Sequence, residues 1–247
     1  MSGHSKWHNI RLKKGKVDAQ RGALFTKLSK EIILAAKNGS PDPEANYRLK
    51  MAVDKARANN MPQDNIKRAI ARASGGAGER EIEEIRYEGY GPAGVAVIVD
   101  AATDNRNRTA SELRFLFSRN DGNLGETGSV GWMFAPRGVV TVDPGRLGED
   151  ALTEKALVDG VIDVRFGEPS EVVTEPQQLM AVKDALEAEG LAVRSAELAM
   201  EPTQVTRPAA ADAEKVLGFL DALEEHEDVQ RVFSNADFDE AQLEALA

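Results

Sequence analysis

The chain has 247 residues, no cysteine and a formal net charge of -10. Its length suits two or three domains, and the lack of cysteine excludes disulfides, thiolate metal sites and a thiol nucleophile, in keeping with a reducing, cytoplasmic setting. No segment approaches the roughly 18 apolar residues of a membrane span, and no apolar stretch follows the basic N-terminus as a secretory signal requires.

The net charge hides a division. Residues 1–80 hold 17 Lys/Arg and 7 Asp/Glu, a net of +10, whereas residues 81–247 hold 14 and 34, a net of -20. A polyanion is drawn to the first third and repelled by much of the rest.

Residues 1–20 read as a basic arm. Lys6, Arg11, Lys13, Lys14 and Lys16 stand against Asp18 alone, and the few apolar residues follow no helical or strand period. So little apolar surface cannot offset the entropy of ordering the backbone, so the arm needs a partner or docks on its own domain. Trp7 offers a face for a base, His8 an imidazole, and the cations can displace counterions from phosphate. His4 and His8 lack the acidic neighbour of a zinc protease helix, and the nearby lysines oppose a dication, so no metal is expected.

Residues 21–78 read as a three-helix unit. Leu24, Leu28, Ile32 and Ala35 form one stripe over residues 19–37. Arg21, Lys27 and Lys30 join the arm as candidate phosphate contacts. Asp42 is placed to cap a second helix with Pro43 at its first position. Pro62 opens a third, with Lys67, Arg68 and Arg72 outside. A Ser-Gly-Gly-Ala-Gly run at 74–78 marks a linker.

Beyond it, residues 82–88 and the apolar run 94–100 predict strands, 107–120 a helix, and 128–134 a lead into another strand. Gly89, Gly91 and Gly94 spell GxGxxG, but a strand follows where a dinucleotide site needs a helix, so no cofactor is expected there. In Asp104–Thr109, a strand-to-helix turn, Asp and Asn suit capping. Arg106 and Arg108 beside free helix N–H groups equally suit an anion site.

Strands at 139–142, 161–166, 171–174 and 192–200, with helices at 150–158 and 176–189, give the order βαββαβ of a ferredoxin-like split unit. A helix at 210–225 and a strand at 229–233 then supply what residues 82–134 lack. The expectation is an α+β protein of three domains: a helical unit, then two ferredoxin-like α/β domains, the third (136–207) inserted into the second (79–135 plus 208–247). No carboxylate pairs with His, Ser or Lys in a recognisable catalytic spacing, so a non-enzymatic protein is expected. The alternatives are an enzyme with an unrecognised site in the acidic domains, or a module that binds partners through its acidic faces.

Several motifs resemble one family: Gly3-His4-Ser5-Lys6-Trp7; Arg21-Gly22 with Phe25-Thr26-Lys27-Leu28; Asn60-Met61-Pro62; Tyr87 to Pro92; Thr103 to Thr109; and Gly128-Ser129-Val130 with Trp132 and Phe134. Collinear over nearly the whole chain, they are similar to the YebC/PmpR family, which includes the mitochondrial translational activator of cytochrome oxidase subunit I. Ala93 stands where that family usually has a glycine. The resemblance implies three domains and a non-enzymatic regulator of gene expression. Such a regulator either binds promoter DNA or acts on translation at the ribosome, relieving stalls at proline runs. In the second role it would meet rRNA, tRNA and basic ribosomal proteins. The residues themselves lean towards RNA, because a basic arm with one aromatic suits stacking and shape better than groove readout.

Overall fold

The computed structural model describes residues 20–73 and 81–239. It is an α+β protein in which helices precede two antiparallel sheets. Three helices come first: α1 (Gln20–Lys37), α2 (Tyr47–Ala58) and α3 (Gln63–Ala73). Their inward stripes meet at Leu28, Ile32, Leu49, Val53, Ile66 and Ala69. Ile82 and Ala102, from the first sheet and its approach, belong to the same core, so the helices dock on that sheet through shared apolar burial.

One predicted cap is corrected. Asn46, not Asp42, caps α2: its side-chain oxygen accepts from the Leu49 N–H at 3.2 Å, and its Nδ2 donates to the carbonyls of Ala35 and Ser40 at 2.8 and 2.7 Å. Asn46 thus ties the end of α1 to the start of α2, whereas Asp42 reaches only the Glu44 N–H within its own turn. A Cβ at Gly39 would lie 2.6 Å from Asn46 Nδ2, so glycine there makes room for the cap.

The remaining elements are β1 (Glu83–Tyr90), β2 (Ala96–Thr103), α4 (Arg106–Arg119), β3 (Asn123–Leu124), β4 (Phe134–Asp143), α5 (Glu149–Ala156), β5 (Val161–Arg165), β6 (Ser170–Thr174), α6 (Leu179–Ala188), β7 (Ala192–Pro202), α7 (Ala210–Glu225) and β8 (Val229–Ser234). The first sheet has the order β3-β1-β2-β8 and the second β5-β6-β4-β7. The chain leaves the first sheet after β3 and returns to it with β8. The second order is the antiparallel split unit that the βαββαβ pattern predicts. Residues 139–142, predicted as a separate strand, are part of the ten-residue β4 that starts at Phe134. Among the described residues no helix is long and apolar enough to cross a membrane.

The first sheet is covered on both faces, which explains the unbroken apolar run of β2. Val97 and Val99 pack with Leu113 and Phe117 of α4 and Phe219 and Leu220 of α7. Ala96 and Ile98 face Val130, Phe134 and Phe233 on the other side. Phe117 and Phe219 meet edge to face, with ring centroids 4.9 Å apart.

The glycine-rich turn between β1 and β2 owes its composition to packing. A Cβ at Gly89 would lie 2.5 Å from the Asn123 carbonyl oxygen, and one at Gly91 would lie 2.5 Å from the Phe219 ring. Ala93, exposed, holds a left-handed φ of 57°. Ala93→Gly should therefore stabilise the fold by about 0.5–1 kcal/mol, the relief of roughly 1–2 kcal/mol of strain less the added chain entropy of glycine. Urea unfolding checks this; a loss of stability would mean that the methyl group has a compensating contact.

Candidate nucleic-acid interface

Of the residues predicted to bind nucleic acid, Lys6, Trp7, His8, Arg11, Lys13, Lys14 and Lys16 lie outside the described residues, as does the side chain of Arg21. Lys27, Lys30, Arg106 and Arg108 are described, and they behave differently from one another.

Lys27 and Lys30 lie one turn apart on α1 and face the end of α7. Lys27 Nζ donates to the Glu224 carbonyl, and Lys30 Nζ to the Glu227 carbonyl at 3.1 Å. Lysines at a helix C-terminus satisfy carbonyls that have no partner within the helix and meet the negative end of its dipole. Lys30 also reaches Asp228 Oδ1 at 2.5 Å. The other oxygen of Asp228 accepts from Arg108 Nη2 at 2.8 Å and Thr109 Oγ1 at 2.6 Å.

Asp228 is fully buried and is the hub on which α1, α4 and the start of β8 converge. Burial pushes its carboxyl pKa up. The hydrogen bonds from Lys30, Thr109 and Arg108, with the charge of Lys30, outweigh burial and bring it down to about 2. So Lys30 and Arg108, legible in the sequence as cations, are engaged with one carboxylate.

Thr26, Ser29, Lys30, Arg72, Asp104 and Arg108 line a hollow of about 340 Å³ above this hub, between the helical unit and the first turn of α4. The Asp104–Thr109 turn makes the cap that one of its two readings predicts: the Asn105 side chain accepts from the Arg108 N–H at 3.2 Å. Glu112, His226 and Asp228 bring ligand-type atoms within 4.8 Å of one another. Arg108 already supplies the cation there, with Asp104 3.4 Å away and Glu112 4.0 Å away. Arg106 is exposed, and its side chain has no ion pair among the described residues.

Two features went unread in the sequence. The first is Asp228, whose charged partners lie 198 and 120 residues away along the chain, so no local spacing reveals it. The second is Glu88, buried on β1. Its carboxylate accepts from the N–H groups of Val130 and Gly131 at 2.9 and 2.6 Å. Burial raises the Glu88 pKa, but these bonds, one from Gly128 and the charge of Arg86 together hold it below the ordinary value. Glu88 thereby fixes the loop that presents Trp132, whose side chain is 64% exposed.

Comparison with known proteins agrees over nearly the whole chain. Residues 5–76 match the family described as TACO1/YebC protein N-terminal domain, and residues 82–236 match TACO1/YebC second and third domain. A "probable transcriptional regulatory protein" of Natranaerobius thermophilus is 49% identical over 99% of both chains. One of Rubrobacter xylanophilus is 49% identical over the full length of both. The crystal structure of a conserved hypothetical protein from Aquifex aeolicus superposes with a TM-score of 0.84 at 44% identity, covering 91% of this chain and 93% of that one.

Proposed function

The chain belongs to the TACO1/YebC family, and on that premise we propose that it is a non-enzymatic regulator of gene expression that acts by binding nucleic acid, with RNA in the ribosome as its target. The observation that carries this reading is the separation of charge: +10 in residues 1–80 and -20 in residues 81–247. The basic third provides phosphate contacts through the arm and Arg21. It adds the exposed Lys67 and Arg68 of α3. Contacts of this kind position a nucleic acid without reading its sequence. Trp7 adds a stacking face suited to unpaired bases. The acidic two-thirds then face the basic proteins that accompany RNA in a ribosome. A structural role for the most buried carboxylate supports the non-enzymatic reading, since Asp228 is neutralised by two cations and stays ionised near neutral pH.

The names of the relatives favour a second reading, a transcriptional regulator on promoter DNA. Co-sedimentation with ribosomes from lysate, before and after nuclease, separates the two. The native chain is expected to travel with ribosomal particles, and the variant Lys13→Glu/Lys14→Glu/Lys16→Glu to remain at the top of the gradient. If the native chain also stays at the top, the ribosomal reading falls. Binding to promoter fragments at defined salt then tests the transcriptional one.

A further inference from the structure

Residues 81–247 hold 34 acidic residues against 14 basic ones. In such surroundings a lysine or arginine readily finds a carboxylate, and most do. Arg86 pairs with Asp100, Arg137 with Glu175, Arg165 with Glu201, Arg194 with Asp143, Arg207 with Asp237 and Lys215 with Asp121. Among the described residues of this region, four arginines have neither an ion pair nor a side-chain hydrogen bond: Arg106, Arg114, Arg119 and Arg146. Three of the four lie on α4.

The placement follows from the helical period. Thr109, Leu113 and Phe117 are the buried side of α4, so Ser111, Arg114, Phe115, Ser118 and Arg119 point outward. Phe115 is 62% exposed, although a phenylalanine stabilises a fold chiefly when buried. It stands one turn from Arg119 on the same row and beside Arg114. An open hollow of about 470 Å³ adjoins it, lined by Ser111, Glu112, Phe115, Leu116 and His226. The acid in this hollow is not a bare charge: Glu112 Oε2 lies 2.9 Å from His226 Nε2, with Arg108 4.0 Å away.

We propose that the outer face of α4 is a second contact surface for unpaired RNA: a base stacks on Phe115 over the hollow, and flanking phosphates are held by Arg114 and Arg119. The chemistry fits one class of occupant. Unpaired cations suit a polyanion, and an exposed ring beside a hollow suits a flat, unstacked base. A paired duplex offers phosphates but hides the faces of its bases in the stack. Ser111 supplies a polar group at the edge of the hollow. The proposal rests on the RNA reading above and extends it from the basic third to the acidic part of the chain. There, net charge alone predicts repulsion.

The test uses the full chain and fluorescence anisotropy with a short labelled oligouridine, across a salt series, with a duplex DNA of equal length as competitor. Phe115→Ala is expected to weaken oligouridine binding about 5- to 150-fold, the range for losing one stacked base. Arg114→Glu/Arg119→Glu is expected to flatten the slope of log affinity against log salt by about 1.4, for two phosphates on a single strand. All three side chains are exposed, so the melting temperature should stay at the native value and report folding independently. If the native chain binds oligouridine and both variants match it, the α4 surface is overturned while the RNA reading stands. A loss confined to the arginine variant overturns the stacking role of Phe115. If the native chain binds only the duplex DNA, the RNA reading itself falls, and the α4 proposal with it.

Discussion

Asp228→Ala is expected to lower stability by about 3–5 kcal/mol, the range for removing one partner of a buried ion pair. The side chain of Asp228 is fully buried, and that of Lys30 is 13% exposed, so water cannot replace the lost carboxylate. Arg108 and Thr109 lose their acceptor at the same time. Because α1 reaches the sheet partly through Lys30, the loss should also loosen the docking of the helical unit. Urea unfolding with intrinsic fluorescence measures the first effect; hydrogen exchange of α1 measures the second. Asp228→Asn keeps the shape and an acceptor for Thr109 while removing the charge, and should lose less. Equal stability of Asp228→Ala and the native chain would mean that the cluster makes no net contribution to the fold.

The same carboxylate sets an acid limb. Its pKa in the folded state, about 2, lies below the ordinary aspartate value. The stabilisation it contributes is therefore complete above the unfolded pKa and is lost as pH falls through the folded one. Acid unfolding of the native chain should steepen between about pH 4 and pH 2. The Asp228→Asn variant should lack that component.

Affinity for nucleic acid is expected to fall steeply with salt. On the proposed reading, with Lys30 and Arg108 engaged with Asp228, the phosphate contacts of the basic third would rest chiefly on Lys6, Arg11, Lys13, Lys14, Lys16 and Arg21. If these six neutralise phosphates, they alone should contribute about -4 for unpaired RNA and about -5 for duplex to the slope of log affinity against log salt, before any contribution from Arg114 and Arg119. A fourfold rise in salt then weakens binding roughly 300- to 1,000-fold. The Lys13→Glu/Lys14→Glu/Lys16→Glu variant should show a shallower slope as well as a weaker affinity. A slope near zero in the native chain would sink the electrostatic mechanism. It would turn attention to the acidic faces as the binding surface.

How legible each feature was depended on the distance between the residues that make it. The helix at 210–225 was readable to the residue, because its stripe of Ala213, Val216, Leu220 and Leu223 is a local pattern. The split βαββαβ unit was legible for the same reason. The cap of α2 was misplaced because Asp42-Pro43 and Asn46 both carry capping chemistry. Asn46 prevails through a bond to Ala35, 11 residues earlier, which only packing against α1 creates. The outward face of α4 was within reach of the sequence: Leu113 and Phe117 inward place Phe115 outward. What could not be read there was that, among the described residues, Arg106, Arg114 and Arg119 stay unpaired beside so many acids.

The sequence by itself determined the charge division, the absence of thiol chemistry, the α+β order of elements and the family resemblance, since each is a property of composition or of short-range periodicity. Only the tertiary structure decided which cations are available to a ligand. An ion pair forms wherever folding brings two opposite charges together, whatever their separation along the chain. Lys30 and Arg108 meet Asp228 across 198 and 120 residues. Among the described residues, Arg114 and Arg119 meet no acid on the outer face of α4.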